Sequence, residues 1–408
     1  MKIPRQCGIL VGGLGTRLGP LTAQTQKPLL DCGGRPFLAW VLRELSRFGI
    51  DDVILFAGHF AQQVEAFVGD AGKWLPKPMR IRVSVEPAPA GTGGAIWNGR
   101  ELLSDSFLIV NGDSWLDTNL ADFLASAAAD HDGLGWIMLR EVADTARYGV
   151  VDHAANGRVT AFHARANVRM AGTVNGGIYV LRKEALEFFS SNCSLEHDVL
   201  PRLATLGLLR GHIANGYFID IGIPGDYARA QTELPQRLHR PAVFFDRDGV
   251  LNRDRGWVGS VEHFDWIEGA KDAVRLANNA GMHAFVVTNQ AGVARGLYSE
   301  NDVEVLHRWM EESLRCAGGT LDDIRYCPHH PAGSVSAYRK ACEDRKPGAG
   351  MLLDLARRWE INLTSSFLIG DKQTDLDAAE SAGMQSFLFA EGSLAELVAS
   401  KLNRLKMI

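Results

Sequence analysis

Two kinds of apolar run alternate along this chain. Short unbroken runs, Gly8–Val11, Val53–Ala57, Phe107–Val110, Ala242–Phe245 and Phe367–Gly370, are too brief for helices and suit strands buried on both faces. The stretch from Ala284 to Gly296 begins in the same way, and Ile81–Pro87 alternates apolar and polar residues as a half-buried strand does,. Between them Pro36–Phe48, a stretch from Phe60, and Ala270–Ala280 carry helical spacing. The alternation predicts an α/β protein with Rossmann-like sheets, in which ligands collect at the carboxyl ends of strands. From Ala228 to Pro241 the pattern changes to ARAQTELPQRLHRP, which predicts a helix ending near Glu233 and then a short, stiff connection. Two domains are therefore expected, over residues 1–235 and 241–408, with no internal repeat.

The candidate chemistry sits where the strand-like runs end. Ala242–Phe245 is followed by Asp246 and Asp248, two apart, a spacing that puts both carboxyl groups on one side of an extended strand end. Such a pair repels itself unless a cation joins it. It reads as a magnesium site with one aspartate free to attack a phosphate. Gly8–Val11 runs into Gly12, Gly13, Leu14, Gly15, Thr16 and Arg17. Glycine N–H groups after a strand can cradle phosphate oxygens, and Arg17 and Lys27 flank the turn with two fixed cations.

The run GGLGTRLGPLTAQTQKPLL (Gly12–Leu30) resembles the signature of the sugar-phosphate nucleotidyltransferases. VEPAPAGTGGA (Val85–Ala95) is similar to that family's base-reading segment and looks most like the guanylyltransferases. The resemblance implies GTP bound through Gly12, Gly13, Gly15, Thr16, Glu86, Gly91 and Gly94. It also implies a catalytic magnesium on Asp113 and Asp220, and sugar contacts from Asn175 and Gly176. Two departures stand out: Gln26 replaces the usual proline before Lys27, and Ala164–Arg165 stand where the family has Glu–Lys. Arg165 is then the candidate contact to the sugar phosphate. In the implied reaction a sugar 1-phosphate oxygen attacks the α-phosphorus of a nucleoside triphosphate and pyrophosphate leaves. Arg17, Lys27 and magnesium would screen the two anions and hold them in line.

In the second half, Asp246 and Asp248, then Thr288 and Asn289, Lys346, and Asp371 in FLIGDKQTDLDAA follow the motif order of the haloacid dehalogenase superfamily, which they resemble. That implies Asp246 as nucleophile, Asp248 as general acid and base, Thr288 on the phosphate, Lys346 against the phosphoaspartate charge, and magnesium on Asp246, Asp248 and Asp371. Asn289 and Arg345 would face the substrate. The stretch from Cys327 and His329 to Cys342 and Asp344 resembles the zinc loop of the D-glycero-D-manno-heptose 1,7-bisphosphate 7-phosphatases, also seen in histidinol-phosphate phosphatases. There the last ligand is a cysteine and here it is Asp344. The expectation is a weaker Cys₂HisAsp zinc site or a proline-braced loop without metal.

Composition narrows the partners. Across 408 residues, 43 Lys and Arg face 48 Asp and Glu for a formal charge of −5, so nothing argues for nucleic acid. Six cysteines are too sparse for a disulfide framework. With no signal-like start and no long apolar span, no membrane partner and a cytoplasmic location are expected. A homo-oligomer stays open. Taken together, the resemblances imply a bifunctional enzyme that removes the 7-phosphate of heptose 1,7-bisphosphate and joins the heptose 1-phosphate to a nucleotide, with GDP-D-glycero-α-D-manno-heptose as product. The alternatives are another sugar or base (mannose, ADP-heptose), a histidinol-phosphate-like phosphatase, or a sugar-nucleotide-binding regulator with one inactive domain.

Overall fold

The computed structural model describes residues 2–165 and 169–405. The chain divides into two compact units, Met1–Pro235 and Gln236–Ile408. The boundary falls inside a helix, Pro224–Leu238, which runs past the expected end near Glu233. Pro235 does not break it. Its ring lies against Gly33, where a Cβ would come within 2.2 Å.

The first unit is built on a mixed sheet whose main path runs Leu209–Ile213, Gly135–Val142, Gly172–Arg182, Ser106–Asn111, Gln6–Leu10, Asp52–Ala57, Arg80–Val85. Gln6–Leu10 is parallel to both its neighbours, while Gly172–Arg182 is antiparallel to both of its own. Strand order reverses at Gln6–Leu10, because the next strand in sequence lies on one side and Ser106–Asn111 on the other. That reversal opens a crevice at the carboxyl ends, where Gly12, Gly58 and Asn111 emerge. A small antiparallel pair, Ser114–Leu116 with Phe218–Asp220, brings Asp113 and Asp220 to one place from segments about a hundred residues apart in the chain.

The second unit holds a five-stranded parallel sheet in the order Asp323–Cys327, His283–Asn289, Ala242–Phe245, Phe367–Gly370, Gln385–Leu388. The all-apolar Ala242–Phe245 is its fully buried centre. Phe285 stacks on Phe244 at 5.2 Å between ring centroids, and Trp359, 0 % exposed, packs beside Phe285 at 5.9 Å. Ala270–Asn279 forms the helix expected there.

Trp359→Ala leaves a cavity under this sheet and is expected to destabilise the second unit by about 3–5 kcal/mol. Hydrogen exchange on the whole chain should show Ala242–Phe245 losing protection while Gln6–Leu10 keeps it.

Candidate active sites

In the second unit, three adjacent strands deliver the candidate residues to one edge. Asp246 follows Ala242–Phe245, Thr288 and Asn289 end His283–Asn289, and Asp371 follows Phe367–Gly370. Lys346, 3 % exposed, reaches into the middle. Its Nζ is 2.8 Å from Asp246 Oδ1, 2.6 Å from Asp375 Oδ1 and 2.8 Å from the Val287 carbonyl. Burial pushes the Asp246 carboxyl up to about 7; Lys346 pulls it down, and Asp375 and Asp248 push it back up. Burial alone would lower the Lys346 pKa, yet its two carboxylate partners raise it, so it stays cationic.

Asp246, Asp371 and Asp375 offer carboxylate oxygens that all lie within 4.8 Å of one another. Asp371 Oδ1 is buried with no hydrogen-bond partner, and a Cβ on Gly249 would come 2.3 Å from Asp371 Oδ2. This cluster of hard oxygens, one of them orphaned, fits magnesium. Bound there, the ion would offset the charge of an incoming phosphate. Asp248 does not join the cluster. Its Oδ2 accepts from Arg247 Nη2 and from Gln290 Nε2, each at 2.9 Å, and its Oδ1 from Asn252 Nδ2 at 3.0 Å. The one-side expectation assumed an extended chain, but pairing ends at Phe245 and the backbone turns through Arg247 to Gly249, whose φ is 92°. Asp248 still lines the same cavity of about 330 Å³, with Asp246, Thr288, Asn289, Arg345 and Lys346.

Asn289, besides lining the cavity, braces the protein. It donates to the Lys346 carbonyl and accepts from the Lys346 N–H, both at 3.0 Å, pinning the segment that aims the lysine. Thr288 Oγ1 accepts from Gln290 Nε2 at 2.8 Å. Arg345 donates to the His329 carbonyl at 3.3 Å. Three residues of the site escaped the sequence reading: Arg247, fully buried beside Asp248, Gln290, and Asp375. Only Asp375 had a usable signal, since it stands four residues after Asp371, one helical turn away at the start of Gln373–Ser381,.

Cys327, His329 and Cys342 present donor atoms that also lie within 4.8 Å of one another. Asp344 is outside that set; its Oδ2 accepts from the Cys342 thiol at 3.7 Å. Burial pushes the Cys327 thiol up to about 12, and Cys342 adds to the shift. Three of the four expected zinc donors are thus gathered and the fourth stands beside one of them.

In the first unit, a cavity of about 610 Å³ is lined by Gly12, Gly13, Lys27, Glu86, Gly91, Asp113 and Glu196 among others. Lys27 pairs closely with Asp113. Arg17 lies 3.9 Å from Asp220, whose pKa is raised by burial and by Asp113. A Cβ on Gly222 would meet Asp220 Oδ1 at 2.9 Å and both Arg17 and Lys27 at 3.1 Å, so three charged groups converge on a residue that must lack a side chain. Two facing carboxylates at the mouth of a phosphate cradle fit a magnesium bound jointly with substrate phosphates. Gln26, 1 % exposed, holds the loop by donating to the Val11 carbonyl, which explains how the chain does without the usual proline.

Several expected contacts have other tasks. Gly94 donates its N–H to the Cys193 carbonyl at 3.0 Å, and a Cβ on Gly91 would come 2.5 Å from that same oxygen. Gly91 is needed for the approach of the Cys193 backbone, a Cβ on Gly94 would meet Ala90 and the Ser191 carbonyl, and the Gly94 N–H is already taken by Cys193. Gly15 and Thr16 open the following 3₁₀ turn, with Gly15 at φ 63°, and do not line the cavity. Gly176 is packed under the Met138 carbonyl, 3.0 Å from where its Cβ would be. Arg165 is exposed and donates to the Ala146 carbonyl at 2.8 Å. Asn175 stands behind Glu196, which carries no motif that would single it out.

Comparison with known proteins places each unit. The Nucleotidyl transferase family model matches residues 8–237, and the HAD-hydrolase-like model matches residues 344–404. The D-glycero-beta-D-manno-heptose-1,7-bisphosphate 7-phosphatase of Rhodopseudomonas palustris is 52% identical over 150 residues, 37% of this chain and 83% of that protein. Its Escherichia coli K12 namesake is 44% identical over 144 residues, 35% of this chain and 75% of that protein. The crystal structure of HddC from Yersinia pseudotuberculosis is 31% identical, with a TM-score of 0.50, and covers 56% of this chain and 98% of its own. No helix among the described residues is long and apolar enough to cross a membrane.

Burial raises the Asp246 carboxyl to about 7 in the folded chain, against 3.8 for an unperturbed carboxyl. Between those values the folded state holds a proton that the unfolded chain has lost, so stability contributed by this group is present at low pH and falls as pH rises toward 7. Magnesium must displace that proton. Its affinity for the second unit should therefore climb by up to about tenfold per pH unit below 7. Melting curves with and without MgCl₂ at pH 5 and pH 8 check this: the magnesium-induced rise should be larger at pH 8, and Asp246→Asn should flatten the dependence.

Proposed function

The chain belongs to the Nucleotidyl transferase family and, through its second unit, to the HAD-like heptose-bisphosphate phosphatases, and on that premise we propose that it carries out two consecutive steps of nucleotide-activated heptose synthesis. The observation that carries this is the presence, in one chain, of an Asp246–Lys346 pocket suited to phosphate-ester cleavage and a Lys27–Asp113–Asp220 pocket suited to joining two phosphates.

In the first step Asp246 attacks the phosphorus on the 7-oxygen of heptose 1,7-bisphosphate. Asp248, on the wall of the same cavity, protonates the departing 7-oxygen and then takes a proton from the water that frees the phosphate. Lys346 favours the ionised form of Asp246, and Asp246, Asp371 and Asp375 would hold a magnesium that supplies further positive charge. In the second step an oxygen of the remaining 1-phosphate attacks the α-phosphorus of a nucleoside triphosphate, and pyrophosphate departs. Arg17 and Lys27 lower the repulsion between the two anions, and Asp113 and Asp220 would hold a second magnesium that supplies further positive charge. GTP is the favoured nucleotide: guanine presents two adjacent N–H donors, and Glu86 on the cavity wall is a pure acceptor when ionised. Zinc held by Cys327, His329 and Cys342, with Asp344 as the fourth ligand, would brace the loop that carries Arg345 and Lys346. These are small-molecule reactions of the cytoplasm.

The phosphatase relatives are named for the β anomer, so both anomers belong in the test. The purified chain would be given α- or β-heptose 1,7-bisphosphate with Mg²⁺ and each of GTP, ATP, CTP and UTP, following released phosphate and nucleotide-linked heptose. Both products are expected with GTP. Phosphate release with no nucleotide-heptose from any pairing would refute the second step. Asp246→Asn should cut phosphate release by more than about a thousandfold while sparing nucleotidyl transfer to supplied heptose 1-phosphate. Asp113→Ala should do the reverse.

A further inference from the structure

The first unit's cavity contains an acid that neither step uses. Glu196, in the single turn Leu195–Val199, lines the cavity. Its Oε1 accepts from Asn175 Nδ2 at 3.0 Å and from the Tyr179 hydroxyl at 2.9 Å, and Asn175 Nδ2 also lies 2.7 Å from that hydroxyl. Tyr179 is fully buried, and Asn175 Oδ1 accepts from Gly177 N at 2.9 Å, so the carboxylate is clamped from behind. Its Oε2 has no hydrogen-bond partner, and no cation pairs with it, among the described residues.

The other acids on this wall are engaged differently: Asp113 pairs with Lys27, and Glu86 accepts from Ala90 N at 3.3 Å. A carboxylate backed by neutral donors and faced by no cation repels phosphate and favours neutral hydroxyl donors. Its place across the sheet says which hydroxyls. Glu86 follows the edge strand Arg80–Val85, the glycine loop follows Gln6–Leu10, Asp113 follows Ser106–Asn111, and the anchor of Glu196 lies in the next strand, Gly172–Arg182. Base, phosphates and metal would therefore be met in that order. A ribose belongs between base and phosphates, whereas Glu196 is anchored beyond the metal.

Building on the nucleotidyltransferase assignment above, we propose that Glu196 reads the ring hydroxyls of the sugar 1-phosphate, with Asn175 and Tyr179 as its positioning residues. It would set which sugar is accepted, a task for which the exposed Arg165 is not placed.

The test measures kcat and KM for both substrates on the full chain, using D-glycero-D-manno-heptose 1-phosphate, mannose 1-phosphate and the monodeoxy analogues of the latter, each with GTP. For Glu196→Ala the KM for sugar 1-phosphate should rise more than about tenfold while the KM for GTP stays within about twofold. Glu196→Gln, which keeps an acceptor oxygen and the shape, should recover part of the loss. Tyr179→Phe should raise the same KM by less. A deoxy analogue that weakens the wild type should weaken Glu196→Ala no further. A rise in the KM for GTP alone would assign Glu196 to the ribose and overturn the proposal, as would variants indistinguishable from wild type. A wild type that transfers to no sugar 1-phosphate would sink the nucleotidyltransferase assignment itself.

Discussion

Charge crowding governs both units. In the second, three carboxylates converge within 4.8 Å and are held there by one buried ammonium at 2.6–2.8 Å from two of them. Breaking such a buried set by removing one member costs several kcal/mol, because the remaining charges lose their partner out of reach of water. The parallel sheet makes the crowding tolerable by fixing Asp246 and Asp371 at two neighbouring strand ends through main-chain pairing, with Asp375 on the helix that follows and Lys346 on a segment pinned by Asn289. The apolar strands beneath are thus a means of imposing an arrangement that the acids alone would reject.

The first unit meets the same difficulty with less burial. Arg17 is largely exposed, and Asp113 and Asp220 arrive from distant segments. This contrast suits the two chemistries: a covalent phosphoaspartate needs a nucleophile preset in a fixed pocket, whereas joining two soluble anions needs a wider cavity that ligands complete.

The sequence disclosed the sheets, most element positions and the charged residues at strand ends, because buried strands and fixed-spacing motifs leave local signals. It hid whatever depends on packing between distant segments. The two-apart spacing set Asp248 beside Asp246, but the turn at Gly249 was invisible, and with it the turning of the Asp248 carboxylate toward Arg247, Asn252 and Gln290. Gly91 lines the cavity and also gives way to the Cys193 carbonyl, while the Gly94 N–H is spent on that carbonyl, a packing role that only the fold reveals. Arg247 and Gln290 carry no motif, and Glu196 is one acid among 48 Asp and Glu until Asn175 and Tyr179 are seen behind it. Glycine and acid positions could be found by eye, but their reasons could not.

The bond from Leu195 N to Thr92 Oγ1 spans 103 residues, and with the Cys193 carbonyl it anchors the start of Gly91–Asn98. During synthesis, the strands that carry the glycine loop and Glu86 are made early, but the turn that fastens this wall leaves the ribosome long afterwards, and Asp220 later still. Chains fold from the N-terminus as they emerge, and contacts between distant segments form slowly. A nascent chain would thus hold its phosphate cradle before it could grip a nucleotide, and would gain the second metal ligand only as the unit is finished.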